Sequence, residues 1–365
     1  MKAKLTAVVL SFILLLSFAS CSLSQNTEKT ADAPVYDHID GTLSVHFIDV
    51  GQGDSTFIQF PNGQTMLIDA GESDAGEIVV SYLQALGVSL IDFVVATHPH
   101  SDHIGGLPAV FDAFDIEKIF MPNAVSNSYI FEALLDKIET EGCETAEAAA
   151  GITVVSDSAY SLNACFIAPV SDEYENLNNY SAVLRLEYKE KSFLFTGDAE
   201  SLAEKEILEN GVSAVDVLKV GHHGSKTSSS SAFVKALSPQ YAVMQVGKDN
   251  SYGHPHAEIL ERYNSFDSQI LRTDEMGTII ISSDGYKLAV LNSEAFTEND
   301  VTSDAPEEKQ AVESTYILNT NSKKIHTEDC ASAVKISDKN KKITNESIES
   351  LEAQGYTCCK SCNPG

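Results

Sequence analysis

Thr97-His98-Pro99-His100-Ser101-Asp102-His103-Ile104-Gly105-Gly106 packs four metal-ligand residues into six positions, in the order H-x-H-x-D-H. The run follows IDFVVAT (91–97), a short apolar stretch of buried-strand type, and its Gly105-Gly106 pair is expected to start a helix. The four ligands then sit on a loop at the carboxyl end of a strand, where side chains converge on one cavity. Imidazole and carboxylate together suit zinc, manganese or iron. A histidine-rich surface loop is the bland alternative, and the density of ligands between a strand and a Gly-Gly pair speaks against it.

Working outward, two further strand ends carry the same residue types. Thr196-Gly197-Asp198 closes SFLFTGD (192–198), and Val220-Gly221-His222-His223-Gly224-Ser225 closes VDVLKVG (215–221). A single acid at a strand end is usually a cap or turn residue, so it is the repetition that suggests one site. Upstream, LSVHFIDV (43–50), STFIQF (55–60) and TMLIDAG (65–71) read as strands of an antiparallel meander, with Pro61-Asn62-Gly63 as the hairpin turn. A helix is expected over Glu77–Leu86, and later strands at AVLRLEY (182–188), YAVMQVG (241–247) and TIIIS (278–282). Mixed strands with interspersed helices imply an α/β protein whose sheets are covered by helices, but periodicity does not choose among the layer architectures.

The chain has 365 residues, with 53 acidic and 24 basic side chains, a net charge of −29 and 43% hydrophobic residues. It is a folded acidic protein, and its charge excludes a broadly basic nucleic-acid footprint without excluding a local cationic or metal-lined groove. At the N-terminus, Lys2 and Lys4 precede an apolar run from Leu5 to Phe18, too short for a comfortable membrane span, and then Ala19-Ser20-Cys21. Residues 1–20 read as a signal peptide ending in a lipobox-like sequence, with Cys21 lipidated and anchoring the protein to the membrane at the cell surface; plain secretion is the alternative. Residues 21–40 read as a tether, 41–292 as the large domain, 293–313 as an acidic linker and 314–365 as a small C-terminal module.

That module holds four of the seven cysteines. His326, Cys330, Cys359 and Cys362 have the spacing H-x-x-x-C followed by C-x-x-C, a closed tetrahedral set for one structural zinc that leaves Cys358 unused. In an exported protein a disulfide from Cys330 to one of the last three cysteines is the competing reading. A segment this short with little apolar content needs a metal or a bridge to fold.

The landmarks FIDVGQGDS (47–55), LIDAG (67–71), THPHSDHIGG (97–106), NNYSAVLRLEY (178–188), FLFTGDAE (193–200), LKVGHHGSKTSS (218–229) and NSYGHP (250–255) resemble, in order, the metallo-β-lactamase superfamily and within it the ComEC-like domain of DNA-uptake proteins. The C-terminal segment resembles Ada-like metal-binding modules. The resemblance implies a four-layer αββα sandwich with a centre for two divalent ions, zinc or manganese. It implies that His98 and His100 hold one metal, Asp102 and His103 the other, with Asp198 bridging and His222 the last ligand in preference to His223. Asp69 is implied as an orienting carboxylate and Asp102 as a further aid to the attacking water. The superfamily's additional histidine before the bridging aspartate is missing, since residues 104–221 contain none, and Asn179 or Ser181 stands nearest in motif order.

The implied function is an exported phosphodiesterase or nuclease that attacks with a metal-held hydroxide, with DNA or another phosphodiester as substrate and no protein partner. His254 is expected to protonate a leaving group or stabilise phosphate, and Ser225, Thr227 and Ser228 to bind phosphate. A cell-wall phosphorylcholine esterase, a lactonase or a β-lactamase is the alternative enzyme. A surface binding protein with a degenerate site is the alternative of another class. His46 and His256 are read as structural or solvent-facing, Lys219 as a neighbour of the ligand loop, and Asp49 and Asp54 as residues that fix the tight Gly51-Gln52-Gly53 loop.

Overall fold

Strand after strand in residues 41–292 is apolar on both faces, and each face has its own partner. In β1 (Leu43–Phe47), Leu43, Val45 and Phe47 point into a central core, as do Ile58 of β2 (Thr56–Gln59) and Met66 and Ile68 of β3 (Thr65–Ile68). Phe57 and Leu67, one residue out of phase, belong to a second core on the opposite face, because successive strand side chains point to opposite sides. β4 (Leu90–Val95), β5 (Asp115–Met121) and β6 (Glu144–Glu147) extend this sheet in parallel.

A second sheet starts with the antiparallel strands β7 (Thr153–Asp157), β8 (Leu162–Ala168), β9 (Val183–Tyr188) and β10 (Lys191–Phe195). It continues in parallel through β11 (Val217–Lys219), β12 (Tyr241–Met244) and β13 (Gln269–Arg272). The chain then returns to the first sheet with β14 (Ile279–Ser283) and β15 (Leu288–Asn292). The strand orders are β15-β14-β1-β2-β3-β4-β5-β6 and β13-β12-β11-β10-β9-β8-β7.

Phe166, Leu184, Phe193 and Phe195 of the second sheet meet Phe47 and Ile58 of the first in the central core. On the outer face of the first sheet pack α1 (Gly76–Ala85), α2 (Ser101–Ile104), α3 (Leu107–Ala113) and α4 (Tyr129–Glu141), through Val79, Leu83, Ile104, Leu107 and Leu134. On the second, α5 (Ser201–Glu209), α6 (Ser231–Leu237) and α7 (Ala257–Ser265) cover Leu194 and Leu218 with Ile207, Val234 and Ile259. The fold is a four-layer αββα sandwich. Local signals set the helix ends: Ser128 Oγ accepts the Phe131 N–H at 3.2 Å to start α4, and Gly142 ends it in the left-handed conformation at φ 71°.

The sequence motif differs from expectation at its helix. α2 begins inside the motif, at Ser101, and Gly105-Gly106 joins it to α3. The glycines are there for close approach, since a Cβ on Gly106 would lie 2.2 Å from the Ala70 oxygen and one on Gly105 2.5 Å from the Ser73 nitrogen.

This computed structural model describes residues 41–292 and, beyond them, 316–362 apart from 328–329, 331, 334, 345–347, 349–350, 352–353 and 360–361. The expected signal peptide with Cys21, the tether and the acidic linker lie outside the described residues. The chain divides into two units, residues 1–296 and 297–365. In the second, β16 (Tyr316–Asn319), β17 (Lys324–Thr327), β18 (Lys341–Thr344) and β19 (Thr357–Cys358) form a small sheet in the order β18-β16-β17-β19.

Candidate metal centre

Every candidate ligand in the large unit follows the carboxyl end of a strand: Asp69 after β3, His98 to His103 after β4, Asp198 after β10, and His222 and His223 after β11. Asp69, held at φ 57°, knits the first of these loops together. Its carboxylate accepts the Thr97 N–H at 2.8 Å, the Thr97 hydroxyl at 2.6 Å and His103 Nδ1 at 2.8 Å. With Nδ1–H donated to Asp69, His103 presents the Nε2 lone pair.

The ligand atoms fall into two groups around the two oxygens of Asp198. Asp102, His103, Asp198 and His223 each offer one donor atom within 4.8 Å of the others. His103 Nε2 is 3.2 Å from Asp198 Oδ1, and His223 Nε2 is 3.2 Å from Asp102 Oδ2 and 3.7 Å from Asp198 Oδ1. Around Asp198 Oδ2 stand His222 Nε2 at 3.6 Å and His98 Nε2 at 3.9 Å, with His100 Nδ1 3.0 Å from His98 Nε2.

The choice expected between His222 and His223 therefore does not arise, because the two face different oxygens of one carboxylate. Both sit at positive φ, 51° and 52°. A left-handed pair of non-glycine residues costs about 1–2 kcal/mol per residue, and this turn sends consecutive imidazoles to either side of Asp198. His222 also stands on the oxygen faced by His98, the side on which a histidine is missing from residues 104–221. Asn179 is committed elsewhere: its Oδ1 accepts the backbone N–H groups of Glu200 and Ala203, both at 3.3 Å, at the start of α5. Ser181 Oγ accepts the Asp198 N–H at 3.0 Å and so positions the carboxylate.

The donor set fits divalent cations. Asp198 Oδ1 and His103 Nε2 are buried and make no hydrogen bond, although 3.2 Å apart, as two atoms aimed at a common point would be. Four carboxylates, Asp54, Asp69, Asp102 and Asp198, crowd around His103. Burial alone would lower the basicity of His103 and His223, but these carboxylates override it, raising His103 well above its usual range and His223 to about 10. These carboxylates concentrate negative charge that a bound cation would neutralise in place of those protons. His98, by contrast, is held low by burial and by His103, and stays a neutral ligand.

Asp54, expected to fix a tight loop, and Lys219, expected only to flank the ligand loop, both belong to the site. Lys219 shares the inward face of β11 with Val217, is 2% exposed, and sets its ammonium against Asp54 Oδ2 and 3.2 Å from the Gly197 oxygen. Asp54 Oδ1 lies 3.1 Å from His223 Nδ1, which also donates to the Gln245 carbonyl at 3.0 Å, so Nε2 of His223 is left as the donor atom. The signal was available in strand parity, since Val217 and Lys219 are two residues apart. Asp49 does anchor the loop, accepting the Gly51 N–H at 3.1 Å, and His46 is structural, with its Nδ1 2.8 Å from the Tyr82 hydroxyl. Replacing Lys219 with Met is expected to destabilise the domain by about 3–5 kcal/mol, because it leaves the Asp54 charge buried without its lysine. Adding Asp54→Asn should recover part of that loss in chemical denaturation; equal stability of wild type and Lys219→Met would refute the pairing.

A cavity of about 180 Å³ opens onto these ligands, walled also by Gln52, Asn178, Tyr252 and His254. His254 Nδ1 is buried without a partner, and its ring stacks on Tyr252 at 5.7 Å. Burial, with His223 and His222 beside it, lowers His254 to about 4. A neutral imidazole there offers one N–H to a phosphate oxygen, the second of the two roles expected of it. Ser225, Thr227 and Ser228 lie behind His222, with Thr227 Oγ1 3.0 Å from His222 Nδ1 and 3.2 Å from Ser225 Oγ.

In the C-terminal unit His326, Cys330, Cys359 and Cys362 bring one ligand atom each within 4.8 Å of one another, and no disulfide joins these cysteines.

Residues 48–126 and 173–248 match the model of the metallo-β-lactamase superfamily. ComE operon protein 3 of Bacillus subtilis is 31% identical over 265 residues, covering 67% of this chain and 34% of that protein. Recombination protein 2 of Haemophilus influenzae is 28% identical over 247 residues, 66% of this chain and 29% of that protein. The chain spans about a third of the length of these curated relatives. Among solved structures, the metallo-β-lactamase-fold protein YhfI of B. subtilis aligns with 66% of this chain and 99% of its own at 10% identity and a TM-score of 0.45. Motif order, the superfamily match over residues 48–126 and 173–248 and the likeness to ComE operon protein 3 agree: the chain belongs to the metallo-β-lactamase superfamily and is ComEC-like within it.

Proposed function

We propose that the protein is an exported, metal-dependent phosphodiesterase acting on nucleic acid. The observation that carries this reading is the pair of ligand groups sharing Asp198, opening onto a cavity with His254 and Asn178 on its wall. Two divalent ions held there, one by Asp102, His103, Asp198 and His223 and one by His98, His100, Asp198 and His222, would supply Lewis acidity for both the attacking and leaving oxygens of an in-line displacement. The protein's own part is orientation. Asp69, Asp54 and the Gln245 carbonyl fix which nitrogen each histidine presents, Asp102 is placed to align a water, and His254 and Asn178 can donate to a phosphate oxygen. The likeness to ComE operon protein 3, to Recombination protein 2 and to the competence protein ComA of Neisseria gonorrhoeae supports DNA as the substrate. The N-terminal sequence supports export, with Cys21 as the lipid attachment point.

The test is a panel of DNA, a bis-aryl phosphodiester, a phosphorylcholine ester, a lactone and a β-lactam, each with added manganese or zinc. Hydrolysis of DNA and the bis-aryl diester is expected. His254→Ala should lower that turnover by about 10²-fold while metal content stays at the wild-type value, since the residue binds substrate and not metal. Turnover confined to the lactone, lactam or choline ester would replace the reading with the corresponding hydrolase. A metal-loaded chain inactive on all five would leave a binding protein.

A further inference from the structure

Behind the His222–Thr227 contact lies a second, larger cavity of about 460 Å³, lined by Glu200, Ser201, Lys226, Thr227, Ser228, Ser230, Ser231 and Arg262. It shares a wall with the metal cavity: Thr227 touches His222 at 3.0 Å, and Glu200 takes the Asn178 amide at 3.1 Å. On a chain of net charge −29 this cavity carries two cations, Lys226 and Arg262, against one carboxylate, Glu200, amid a run of hydroxyls. Lys226 is exposed and makes no ion pair among the described residues. Arg262 spends one nitrogen on the Ser229 carbonyl, which holds the guanidinium at the cavity with further donors to spare. Ser228, 1% exposed, lines the same cavity, and its hydroxyl has no hydrogen-bond partner.

On the wall of the metal cavity the Tyr252 ring is 65% exposed and stacked on His254. An exposed aromatic face, a polar cavity with ligands for divalent ions and an adjoining cavity with two cations are the kinds of contact that a single nucleic-acid strand uses for base, phosphate and next phosphate. A small phosphodiester has no second phosphate to place.

We infer that the Lys226–Arg262 cavity is a subsite for a phosphate of the same strand, adjacent to the one being cleaved, and that it makes the protein prefer oligonucleotides to small phosphodiesters. The inference rests on the phosphodiesterase reading for its kinetic test, and a binding measurement keeps it separable from that reading. Lys226 is exposed, so Lys226→Glu leaves the core untouched. It is expected to reduce kcat/KM for an octathymidylate about tenfold relative to kcat/KM for bis(p-nitrophenyl) phosphate, and to make the salt dependence of oligonucleotide turnover shallower by about 0.7 in log–log slope, the value for one phosphate contact on a single strand. Arg262→Gln should act in the same direction. Fluorescein-labelled octathymidylate, titrated by anisotropy with calcium as the only divalent ion, should bind Lys226→Glu about tenfold more weakly than wild type. A wild type that cleaves neither substrate would refute the phosphodiesterase reading, and the anisotropy then decides the subsite alone. Equal loss on both substrates, or oligonucleotide binding that Lys226→Glu leaves at its wild-type strength and salt slope, would overturn the subsite.

Discussion

Replacing Asp198 with alanine is expected to lower the divalent metal bound by the large domain from two equivalents to one or none and to cut hydrolysis by about 10³-fold or more. The reason is geometric. Its two oxygens face different ligand groups, His103 at 3.2 Å on one side and His222 at 3.6 Å on the other, so one substitution strips both. Loss of several kcal/mol of charge stabilisation at the reacting oxygens accounts for the size of the effect. The domain should still fold, because the change removes one of four carboxylates crowded around His103 and eases their repulsion. Mass-spectrometric metal analysis after reconstitution, with a thermal melt of the same samples, measures both quantities. Two equivalents retained by Asp198→Ala would end its assignment as the shared ligand, and a wild-type domain that takes up no metal would remove the enzymatic reading altogether.

The second large effect concerns residues 297–365. Among the described residues their apolar clusters are small, built around Leu318, Ile325, Leu351 and Tyr356 and around Ile317, Ala333 and Ile336 beside the cysteines. Such cores do not hold a unit of this size unaided, whereas a structural zinc in a set of one histidine and three cysteines supplies about 10–16 kcal/mol. Chelation of the full-length protein under reducing conditions is therefore expected to make this segment sensitive to protease while a fragment ending near residue 296 survives. Persistence of the segment with chelator and reductant together would exclude zinc as its support. Loss on adding reductant alone would instead assign the stability to a disulfide.

The central strands, the hairpin at Pro61-Asn62-Gly63 and the helix over Gly76–Ala85 follow from local patterns, because alternation, turn chemistry and apolar spacing act over a few residues. The H-x-H-x-D-H run, Asp198 and the His222-His223 pair are likewise visible as residue types at strand ends. Their partition around one carboxylate was not. It depends on two consecutive left-handed residues and on sheets that bring the ends of β4, β10 and β11 together, and the separations between those segments in sequence carry no distance information. The same holds for Asn179, drawn to the start of α5, and for Asp54, which reaches His223 across 169 residues' separation only because the loop after β1 packs on the loop after β11.

Lys219 makes the point most sharply. As a residue type it belongs at the surface, and strand parity alone turns it inward. What keeps it there is the demand for positive charge beside the buried Asp54 carboxylate, a long-range electrostatic condition that exists only once both sheets are packed face to face.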